Sequence, residues 1–287
     1  MNIDIQAPAK VNLFLEVLGK RPDGYHDIQS IFHTIGLYDT IHIKQTTGKM
    51  LSVTTDQPSL NDSMTANSAY KAAMSFLETF HIKDGLSIRI EKNIPIGGGL
   101  GGSSADAAGV IRGLAQLYGI ELTPDRIAHT ASVGADVPFL IHQGCALVEG
   151  IGEKITMLPY RLERPILIAF PGESVNTGWA YGQLTFLLTI QKIPCNILLR
   201  CLELGDYDGI YANLFNRFED TVFQSFPKIR LLKQTLLESG ARAALMSGSG
   251  SSVFGVYDTT EQAYKSAETV RRYSDWVSVV TPTGKEG

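Results

Sequence analysis

Near its start the chain alternates between apolar and polar side chains, which is the period of a β-strand. One side of the pattern is formed by Val11, Leu13, Leu15 and Val17, and the other by Lys10, Asn12, Phe14 and Glu16. The alternation predicts a half-buried strand. Because side chains two residues apart on a strand share a face at roughly 7 Å, Lys10 and Asn12 are expected to be close enough to serve one ligand.

Further strands and helices are predicted along the whole chain. Alternating or β-branched runs predict strands at 31–37, 40–44, 51–54, 86–91, 145–148, 166–170 and 253–257. Apolar residues at helical spacing predict helices at 67–80, from about 103 to Gly119, at 123–134, at 227–239 and from Thr259 onward. A tight turn at 21–24 is expected to present Tyr25 and His26 at its exit. The mixture indicates an α/β (α+β) protein.

Length and a change of composition indicate two domains. A chain of 287 residues is nearly twice the usual domain size of about 150. The segment 158–165 contains two prolines and mixed charge, and apolar β-type sequence begins again at Ile166, as expected of a linker. We therefore predict one domain over 1–160 and a second over 161–287, with a shared cleft as the expected site.

Composition argues against several classes of function. The net charge is −4 without any run of Lys or Arg, so nucleic-acid binding is not expected. The longest apolar run, at 165–170, is too short for a membrane span, and no signal-peptide pattern opens the sequence. Cys145, Cys195 and Cys201 form no C-x-x-C pair and no cluster with histidines, so we interpret them as reduced thiols in the core. A cytoplasmic protein is expected, as a monomer or weak homodimer.

A glycine-rich run joins a predicted strand to a predicted helix. Five of the six residues from Gly97 to Gly102 are glycine. Glycine lets backbone N–H groups approach a ligand, and the following helix adds unpaired N–H groups and the positive end of its dipole. Ser103 or Ser104 is expected to cap this helix or to turn a hydroxyl toward phosphate or Mg²⁺, and Asp106 suits the first turn. The run predicts a polyphosphate site.

Other glycine-rich nucleotide motifs fit less well. Gly97, Gly99 and Gly102 formally match the dinucleotide fingerprint, but Glu121, near the required acidic position, falls between two helical segments. No Gly-Lys pair is followed by Ser or Thr, as a P-loop requires, and neither H-R-D nor D-F-G of the protein kinases occurs. The run is therefore predicted to hold phosphate through its backbone.

Four motifs together resemble the GHMP kinases, the family of galactokinase, homoserine kinase and mevalonate kinase. They lie at 8–26, 95–108, 134–139 and 246–254, in the expected order across nearly the whole chain. The resemblance implies two domains. The N-terminal domain would be ribosomal-protein-S5-domain-2-like and bind ATP, and an α/β-sandwich C-terminal domain would contribute to substrate binding.

The resemblance also implies a reaction. The motifs at 8–26 and 134–139 are similar to those of family members that phosphorylate the 2-hydroxyl of a cytidine-diphosphate-linked methylerythritol in non-mevalonate isoprenoid synthesis, using ATP and Mg²⁺. The implied base is Asp136, and the alternative is simple N-capping of the next helix. Lys10 is expected to pair with Asp136 and to stabilise developing charge. No metal ligand from the protein is predicted.

The other implied site residues contact either ATP or the acceptor. Those for ATP are Pro95, Gly97, Gly98, Gly99, Leu100, Gly101, Gly102, Ser103, Ser104 and Asn67. Those for the acceptor are Asn12, Tyr25, His26, Tyr181, Gly248 and Ser249. Tyr25 and Tyr181 are expected to sandwich the cytosine while His26 binds its edge. Ordinary packing at a domain seam is the alternative for these rings.

Two other functions remain open. One is a GHMP kinase that acts on homoserine or mevalonate, and the other is a non-catalytic nucleotide sensor that kept the fold. The presence of Lys10 and Asp136 argues against a sensor. Tyr25 and His26 argue against an acceptor without a nucleobase.

Overall fold

The computed structural model describes residues 1–61, 67–184 and 193–284 of the chain. The strands in these residues are β1 (Asn2–Lys20), β2 (His26–Thr46), β3 (Leu51–Thr55), β4 (Gly85–Glu91), β5 (Cys145–Gly150), β6 (Lys154–Leu158), β7 (Ile166–Phe170), β8 (Phe215–Asn216), β9 (Ala243–Met246), β10 (Val253–Val256) and β11 (Trp276–Val280). The helices are α1 (Ser68–Thr79), α2 (Gly102–Tyr118), α3 (Pro124–His129), α4 (Val137–His142), α5 (Thr177–Gln183), α6 (Asn196–Leu204), α7 (Tyr207–Asn213), α8 (Glu219–Ser225), α9 (Pro227–Glu238) and α10 (Thr260–Val270).

The described strands form two sheets. The first has seven strands in the order β3-β4-β2-β1-β8, with β5 paired to β2 and β6 paired to β5. β2 is antiparallel to β5 over 28–33 and to β4 over 40–46, so these two strands pair with successive parts of β2, which also pairs with β1. The second sheet has four strands in the order β11-β7-β10-β9, and all of its neighbours are antiparallel.

Two compact units divide the chain. Unit 1 comprises Met1–Ala9, Leu37–Ile94 and Gly101–Gln143, and unit 2 comprises Lys10–Gly36, Pro95–Leu100 and Gly144–Gly287. Both units are therefore discontinuous in sequence. The predicted division into 1–160 and 161–287 is linear and differs from these contact-based units, and it stays a prediction.

In unit 1, helix α2 approaches the strands closely at two glycines. A Cβ on Gly109 would overlap the Ile41 side chain, and a Cβ on Gly113 would lie 2.5 Å from Ile43 Cδ1. Glycine at both positions removes that obstacle. Helix α1 packs on α2 and buries an apolar face made of Ala69, Ala72, Ala73, Phe76 and Leu77. This face has helical spacing, which is why α1 could be predicted.

In unit 2, helices α9 and α10 pack on the second sheet. Its central strands β7 and β10 are buried almost throughout, as expected of a sheet covered by helices. Helix α10 begins with the predicted capping box, in which Thr259 and Gln262 exchange backbone-to-side-chain hydrogen bonds of 3.2 Å. Helix α9 ends just before Gly240, whose φ is +106°.

Four predicted elements differ from the structure. β1 is buried on both faces from residue 7 to residue 17 instead of being half-buried. The strands predicted at 31–37 and 40–44 are parts of the single strand β2. The helix predicted at 123–134 ends at His129 and is followed by one 3₁₀ turn, and Thr123 makes no side-chain capping bond. The other predicted strands and helices are confirmed, apart from shifts of a residue or two at their ends.

The three cysteines are free and buried, as predicted. Burial raises the pKa of the Cys145 thiol to about 12, so this group stays protonated and behaves as a small apolar side chain. Among the described residues, no helix combines the length and the apolar character needed to cross a bilayer.

Candidate active site

The first part of the glycine run, residues 95–100, belongs to unit 2 and packs against its own chain. Gly97 and Gly99 have φ of +70° and +74°, a conformation that other residues rarely adopt. A Cβ on Gly97 would overlap Ser174, and a Cβ on Gly99 would overlap the carbonyl oxygen of Ser247. Both glycines are therefore required by backbone conformation and by close packing within the protein.

Two hydrogen bonds join this loop to the C-terminal glycine motif at 247–252. The backbone N–H of Ser252 donates to the carbonyl oxygen of Gly98 at 3.0 Å. The Ser247 hydroxyl donates to the carbonyl oxygen of Gly99, also at 3.0 Å. Two glycine motifs that are about 150 residues apart in the sequence therefore lie side by side in unit 2. The two hydrogen bonds satisfy the backbone carbonyl groups of Gly98 and Gly99.

Lys10 lies where these two motifs meet. Its backbone N–H donates to the carbonyl oxygen of Leu100 at 3.0 Å. Its ammonium donates to Asn12 Oδ1 at 2.6 Å and lies 4.7 Å from the centroid of the Phe32 ring. A Cβ on Gly248 would be 3.6 Å from Lys10 Nζ. A cation is therefore held beside the glycine-rich backbone, as a polyphosphate site requires.

Asn12 is 1% exposed and both ends of its amide are engaged. Oδ1 accepts from Lys10, and Nδ2 donates to Ser30 Oγ at 3.0 Å. Ser30 in turn donates to the carbonyl oxygen of Phe14. This chain of bonds orients the Lys10 ammonium. The predicted hydrogen bond from Asn12 to the acceptor stays a prediction.

The second part of the glycine run opens helix α2 in unit 1. Gly101 is the N-cap with φ of +74°, and no side chain caps the helix. Ser103 and Ser104 lie within its first turn, so the predicted serine cap is wrong. Asp106 is buried in the second turn, and the prediction that it belongs to the first turn is also wrong. The four N-terminal N–H groups of α2 are thus left without a side-chain cap, which suits an anion.

Asp136 belongs to unit 1 and directly precedes α4. It is the N-cap residue by position, but its side chain makes no capping hydrogen bond, so the structure does not support simple capping as its role. Its segment lies beside the start of α2, because a Cβ on Gly134 would be 3.4 Å from Ser104 Oγ. Since Lys10 belongs to unit 2, its predicted pairing with Asp136 stays a prediction.

The predicted aromatic site has a different arrangement from the one expected. His26, not Tyr25, stacks on Tyr181, with ring centroids 4.9 Å apart and planes at 23°. Phe218 meets the Tyr181 ring edge-on at 4.9 Å, while the Tyr25 side chain is exposed. Burial lowers the pKa of His26, and the charge of Lys20 lowers it further, so the imidazole is neutral at pH 7. A neutral stacked imidazole can donate and accept hydrogen bonds at its edge.

Asn67 and Ser249 make contacts within the protein. Asn67 caps α1, because its Oδ1 accepts from the backbone N–H of Ala69 at 2.9 Å. The Ser249 and Thr177 hydroxyls are hydrogen-bonded to each other at 3.0 Å. The predicted contacts of Asn67 with adenine and of Ser249 with the acceptor stay predictions.

The sequence does not predict two residues that support this site, Asn216 of β8 and Arg217 directly after it. Asn216 Nδ2 donates to the carbonyl oxygen of Gly248 at 2.8 Å, inside the second glycine motif. Arg217 forms two hydrogen bonds with the buried Glu16 carboxylate, at 2.8 and 2.6 Å. Hydrogen bonding to Glu16 raises the pKa of Arg217 despite burial. No local motif signals these residues, since their partners are distant in the sequence.

A cavity of about 340 Å³ lies elsewhere, inside unit 1. Its walls include Phe76 and Phe80 of the α1 region, Ile111 of α2 and Arg126 of α3. None of the predicted site residues lines it. The candidate site is therefore defined by its polar groups and glycines and not by this cavity.

The described residues fit a Mg²⁺ ion that binds together with ATP, and they do not form a separate metal site. No group of three or more His, Cys, Asp or Glu in the described parts of the chain could hold a metal ion. Mg²⁺ commonly binds through one or two carboxylates together with substrate phosphates, and in P-loop proteins a Ser or Thr hydroxyl also binds it. The hydroxyls of Ser103 and Ser104 are oxygens of this kind, and the uncapped α2 N-terminus suits the phosphates. The ion would thus be bound mainly by the nucleotide.

Comparison with known proteins gives consistent matches in sequence and structure. Residues 67–144 match the GHMP kinases N terminal domain, and residues 198–274 match the GHMP kinases C terminal domain. The chain is 40% identical to 4-diphosphocytidyl-2-C-methyl-D-erythritol kinase of Syntrophomonas wolfei, over 93% of both chains. It is 37% identical to the kinase of the same name from Caldicellulosiruptor saccharolyticus, over 98% of this chain and 97% of that protein.

Solved structures agree with these matches. A crystal structure of 4-(cytidine 5'-diphospho)-2C-methyl-D-erythritol kinase superposes with a TM-score of 0.82 at 32% identity, covering 97% of this chain and 99% of that one. Homoserine kinase from Cytophaga hutchinsonii has a TM-score of 0.77 at 21% identity over 100% of this chain and 96% of that one, which shows a shared fold.

The fold, the paired glycine motifs and both domain matches define a small-molecule kinase of the GHMP class. The predicted two-domain GHMP architecture is confirmed at this level. Within the class, the chain belongs to the 4-diphosphocytidyl-2-C-methyl-D-erythritol kinase family of isoprenoid biosynthesis.

Proposed function

We propose that this protein transfers the γ-phosphoryl group of ATP to the 2-hydroxyl of 4-(cytidine 5'-diphospho)-2-C-methyl-D-erythritol. The observation that carries the proposal is the position of Lys10, whose ammonium lies beside Gly248 and whose backbone is bonded to Leu100. A cation between two glycine-rich backbones suits a group that carries phosphate charge. The names of its relatives support the choice of acceptor.

The proton of the acceptor hydroxyl is assigned to Asp136. Its carboxylate accepts this proton as the hydroxyl oxygen bonds to the γ-phosphorus, and the bond from that phosphorus to the β,γ-bridging oxygen breaks to leave ADP. Asp136 lies in the motif at 134–139, within the segment that matches the GHMP kinases N terminal domain, and this position supports the role.

Lys10 is assigned to the negative charge that develops during transfer. Its ammonium is oriented by Asn12, which is itself fixed by Ser30. A donor that is already oriented stabilises charge without reorganising during the reaction, and this is the usual source of large electrostatic effects. Mg²⁺ carried by ATP would neutralise the phosphate oxygens, with Ser103 and Ser104 as protein oxygens nearby.

The cytidine base is assigned to the aromatic group of His26 and Tyr181. Their rings are stacked, and Phe218 supports Tyr181 from the side. Aromatic faces bind nucleobases by stacking, and a neutral imidazole edge can bind the polar edge of the base. The exposed ring of Tyr25 is proposed to cover the base from its second face.

The test is ADP release with ATP, Mg²⁺ and one acceptor at a time, using the cytidine compound, homoserine and mevalonate. We expect turnover with the cytidine compound alone. Asp136→Asn should lower kcat by about 10³-fold, and Lys10→Met by about 10²-fold or more. Turnover only with homoserine or mevalonate would show another GHMP kinase. Nucleotide binding without turnover on any acceptor would indicate a sensor, and near-normal kcat in Asp136→Asn would exclude the assigned base.

A further inference from the structure

A buried group of three charged side chains lies at the base of the glycine run, within unit 1. Lys92 Nζ contacts Asp39 Oδ2 at 2.5 Å and Asp106 Oδ2 at 2.6 Å. The side chains of Lys92, Asp39 and Asp106 are 5%, 0% and 9% exposed. They come from three separate segments: the chain after β4, the middle of β2 and the second turn of α2. We call this group the lysine triad.

The lysine triad holds the chain that enters the glycine run. Asp39 Oδ1 accepts hydrogen bonds from the backbone N–H groups of Asn93 at 2.6 Å and Ile94 at 2.8 Å. Asn93 Nδ2 donates to the carbonyl oxygen of Tyr38 at 3.0 Å. The incoming segment is thus fixed at its backbone and at the Lys92 side chain immediately before Pro95.

The same lysine also reaches the chain that leaves the run. Its bond to Asp106 joins it to α2, the helix that begins at Gly102. A Cβ on Gly102 would lie 3.2 Å from Ile94 Cγ2 and 3.6 Å from Lys92 Nζ. The first residue of the helix therefore packs directly on the incoming segment, and Lys92 bridges the two ends of the run.

Stability alone does not account for such a group. Burying charges removes their hydration, and apolar residues of similar size often serve stability as well or better. The triad is also imperfectly satisfied, because Asp106 Oδ1 has no hydrogen-bond partner within the described residues. Burial raises the pKa of Asp106, although the charge of Lys92 opposes this. What the group provides is a defined position for the two segments that it joins.

We propose that Lys92, Asp39 and Asp106 are positioning residues that set the geometry of the phosphate-binding loop by holding its two ends together. The proposal rests on the proposed function, in which this loop binds the phosphates of ATP. Backbone donors bind phosphate only when their spacing and direction are fixed beforehand. Without the bridge, the start of α2 and the incoming segment can shift relative to each other, and nucleotide affinity falls.

The test compares Mg²⁺–ADP affinity by calorimetry in the full-length protein, which requires no acceptor. Lys92→Met and Asp106→Ala should each weaken binding by about tenfold or more, since small displacements in a binding site have effects of this size. Lys92→Arg keeps the charge and both carboxylate partners but adds volume at a buried position, so it should bind Mg²⁺–ADP more tightly than Lys92→Met and less tightly than wild type. The double variant should be little worse than either single one, because both changes break the same bridge.

The matched control is Leu77→Ala, which removes a buried side chain of α1 in the same unit. It should lower the melting temperature comparably but leave the affinity for Mg²⁺–ADP unchanged. Unchanged affinity in Lys92→Met, or equal losses in Leu77→Ala, would overturn the proposal.

Failure of wild type to bind Mg²⁺–ADP would instead refute the proposed function. Hydrogen exchange of the amides at 93–104 then tests the triad separately. Faster exchange in Lys92→Met than in Leu77→Ala supports it, and equal exchange rejects it.

Discussion

His26 stacks its imidazole on the ring of Tyr181, with the two centroids 4.9 Å apart. The sequence predicts that Tyr25 and Tyr181 sandwich the base and that His26 binds its edge. In the structure, one face of Tyr181 is already covered by His26, and Phe218 meets its ring edge-on. The stacked pair therefore forms a preorganised aromatic surface, to which the exposed ring of Tyr25 can be added.

Loss of the Tyr181 ring should weaken binding of the cytidine acceptor. Stacking on one aromatic side chain contributes about 1–3 kcal/mol per base, so Tyr181→Ala should raise KM for that acceptor about tenfold while KM for ATP stays the same. Tyr181→Phe keeps the ring and serves as the control. Steady-state kinetics with each substrate varied separately measures both constants. Parallel increases in the two KM values would contradict an aromatic site for the base.

Tyr25→Ala tests the second face of the base. If the exposed ring closes over the cytosine, the acceptor KM should rise by about fivefold or more, without any change in melting temperature, because Tyr25 is 62% exposed. His26→Ala is the comparison, since it removes a stacked ring and should alter both acceptor KM and stability. If the acceptor KM is unchanged in Tyr25→Ala, Tyr25 does not contact the base, and only His26 and Tyr181 stay assigned to it.

Gly99 should tolerate no side chain, whereas Gly119 should tolerate one. The two residues have similar φ values, +74° and +64°, but a Cβ on Gly99 would overlap the Ser247 carbonyl oxygen while nothing lies within 4 Å of one on Gly119. Gly119→Ala should therefore cost only the backbone strain, about 1–2 kcal/mol, with normal kinetics. Gly99→Ala should in addition lower kcat/KM for ATP by about tenfold or more. Thermal melts of the two variants measure the cost of the backbone strain, and steady-state kinetics measures the effect of the lost contact with Ser247. Equal kcat/KM for ATP in the two variants would show that contact between the glycine motifs is not needed for activity.

Asn67 is expected to have one structural and one binding role, and substitutions can separate them. Asn67→Ala removes the N-cap of α1 and should lower the free energy of unfolding by about 1 kcal/mol. Asn67→Asp keeps the oxygen that accepts from Ala69 and should restore stability. If Nδ2 also donates to adenine, Asn67→Asp should still raise KM for ATP severalfold. Wild-type KM in the Asp variant would assign Asn67 to capping alone.

Acid should destabilise the protein through His33. Burial lowers the pKa of His33 to about 4 from 6.5, only partly opposed by its bond to the Thr34 carbonyl oxygen. Nδ1 donates to that oxygen at 2.8 Å and Nε2 accepts from the backbone N–H of Leu162 at 3.2 Å, so the neutral ring is fully bonded. The unfolded state thus binds more protons between these pKa values. The contribution of His33 to the free energy of unfolding should be fully present above about pH 6.5. It should be lost as the pH drops toward 4, by about 3 kcal/mol in total.

The measurement for His33 is the free energy of unfolding from pH 7 to pH 4.5. His33→Gln cannot titrate and should show a shallower decline than wild type, although it is less stable at pH 7. Ile35→Val is the control, because it changes a buried residue of the same strand without removing a titrating group and should keep the wild-type slope. Identical slopes in wild type and His33→Gln would remove His33 from the acid response.

The sequence predicted the strands and helices that are defined by the hydrophobic pattern and caps of neighbouring residues. The contact of Lys10 with Asn12 follows from the period of a strand, and the helices followed from their apolar faces and caps. The gap between the strands predicted at 31–37 and 40–44 contains Asp39, a charged residue between two apolar runs. In the structure Asp39 is fully buried and bonded to Lys92 and to two backbone N–H groups. A charge inside a strand becomes possible only when a distant residue neutralises it.

The parts of the site that were missed depend on distant pairing. Asn216 supports the second glycine motif because β8 lies parallel to β1, with Leu15 opposite Asn216. The sequence around Leu15 and the sequence around Asn216 contain no motif that predicts this pairing. The serine cap expected for α2 failed for a related reason: a left-handed Gly101 ends the loop, so the helix begins one residue earlier and both serines fall inside it.

The course of the chain through the two units limits how the protein can be divided. The polypeptide passes from one unit to the other after residues 9, 36, 94, 100 and 143. A fragment ending at residue 160 would contain unit 1 together with only part of unit 2, leaving the exposed edge of an incomplete core. We expect such a fragment to aggregate. We expect the intact chain to unfold in a single cooperative transition, because each unit is built from segments whose ends continue into the other unit, so that unfolding of one unit frees the segment ends of the other.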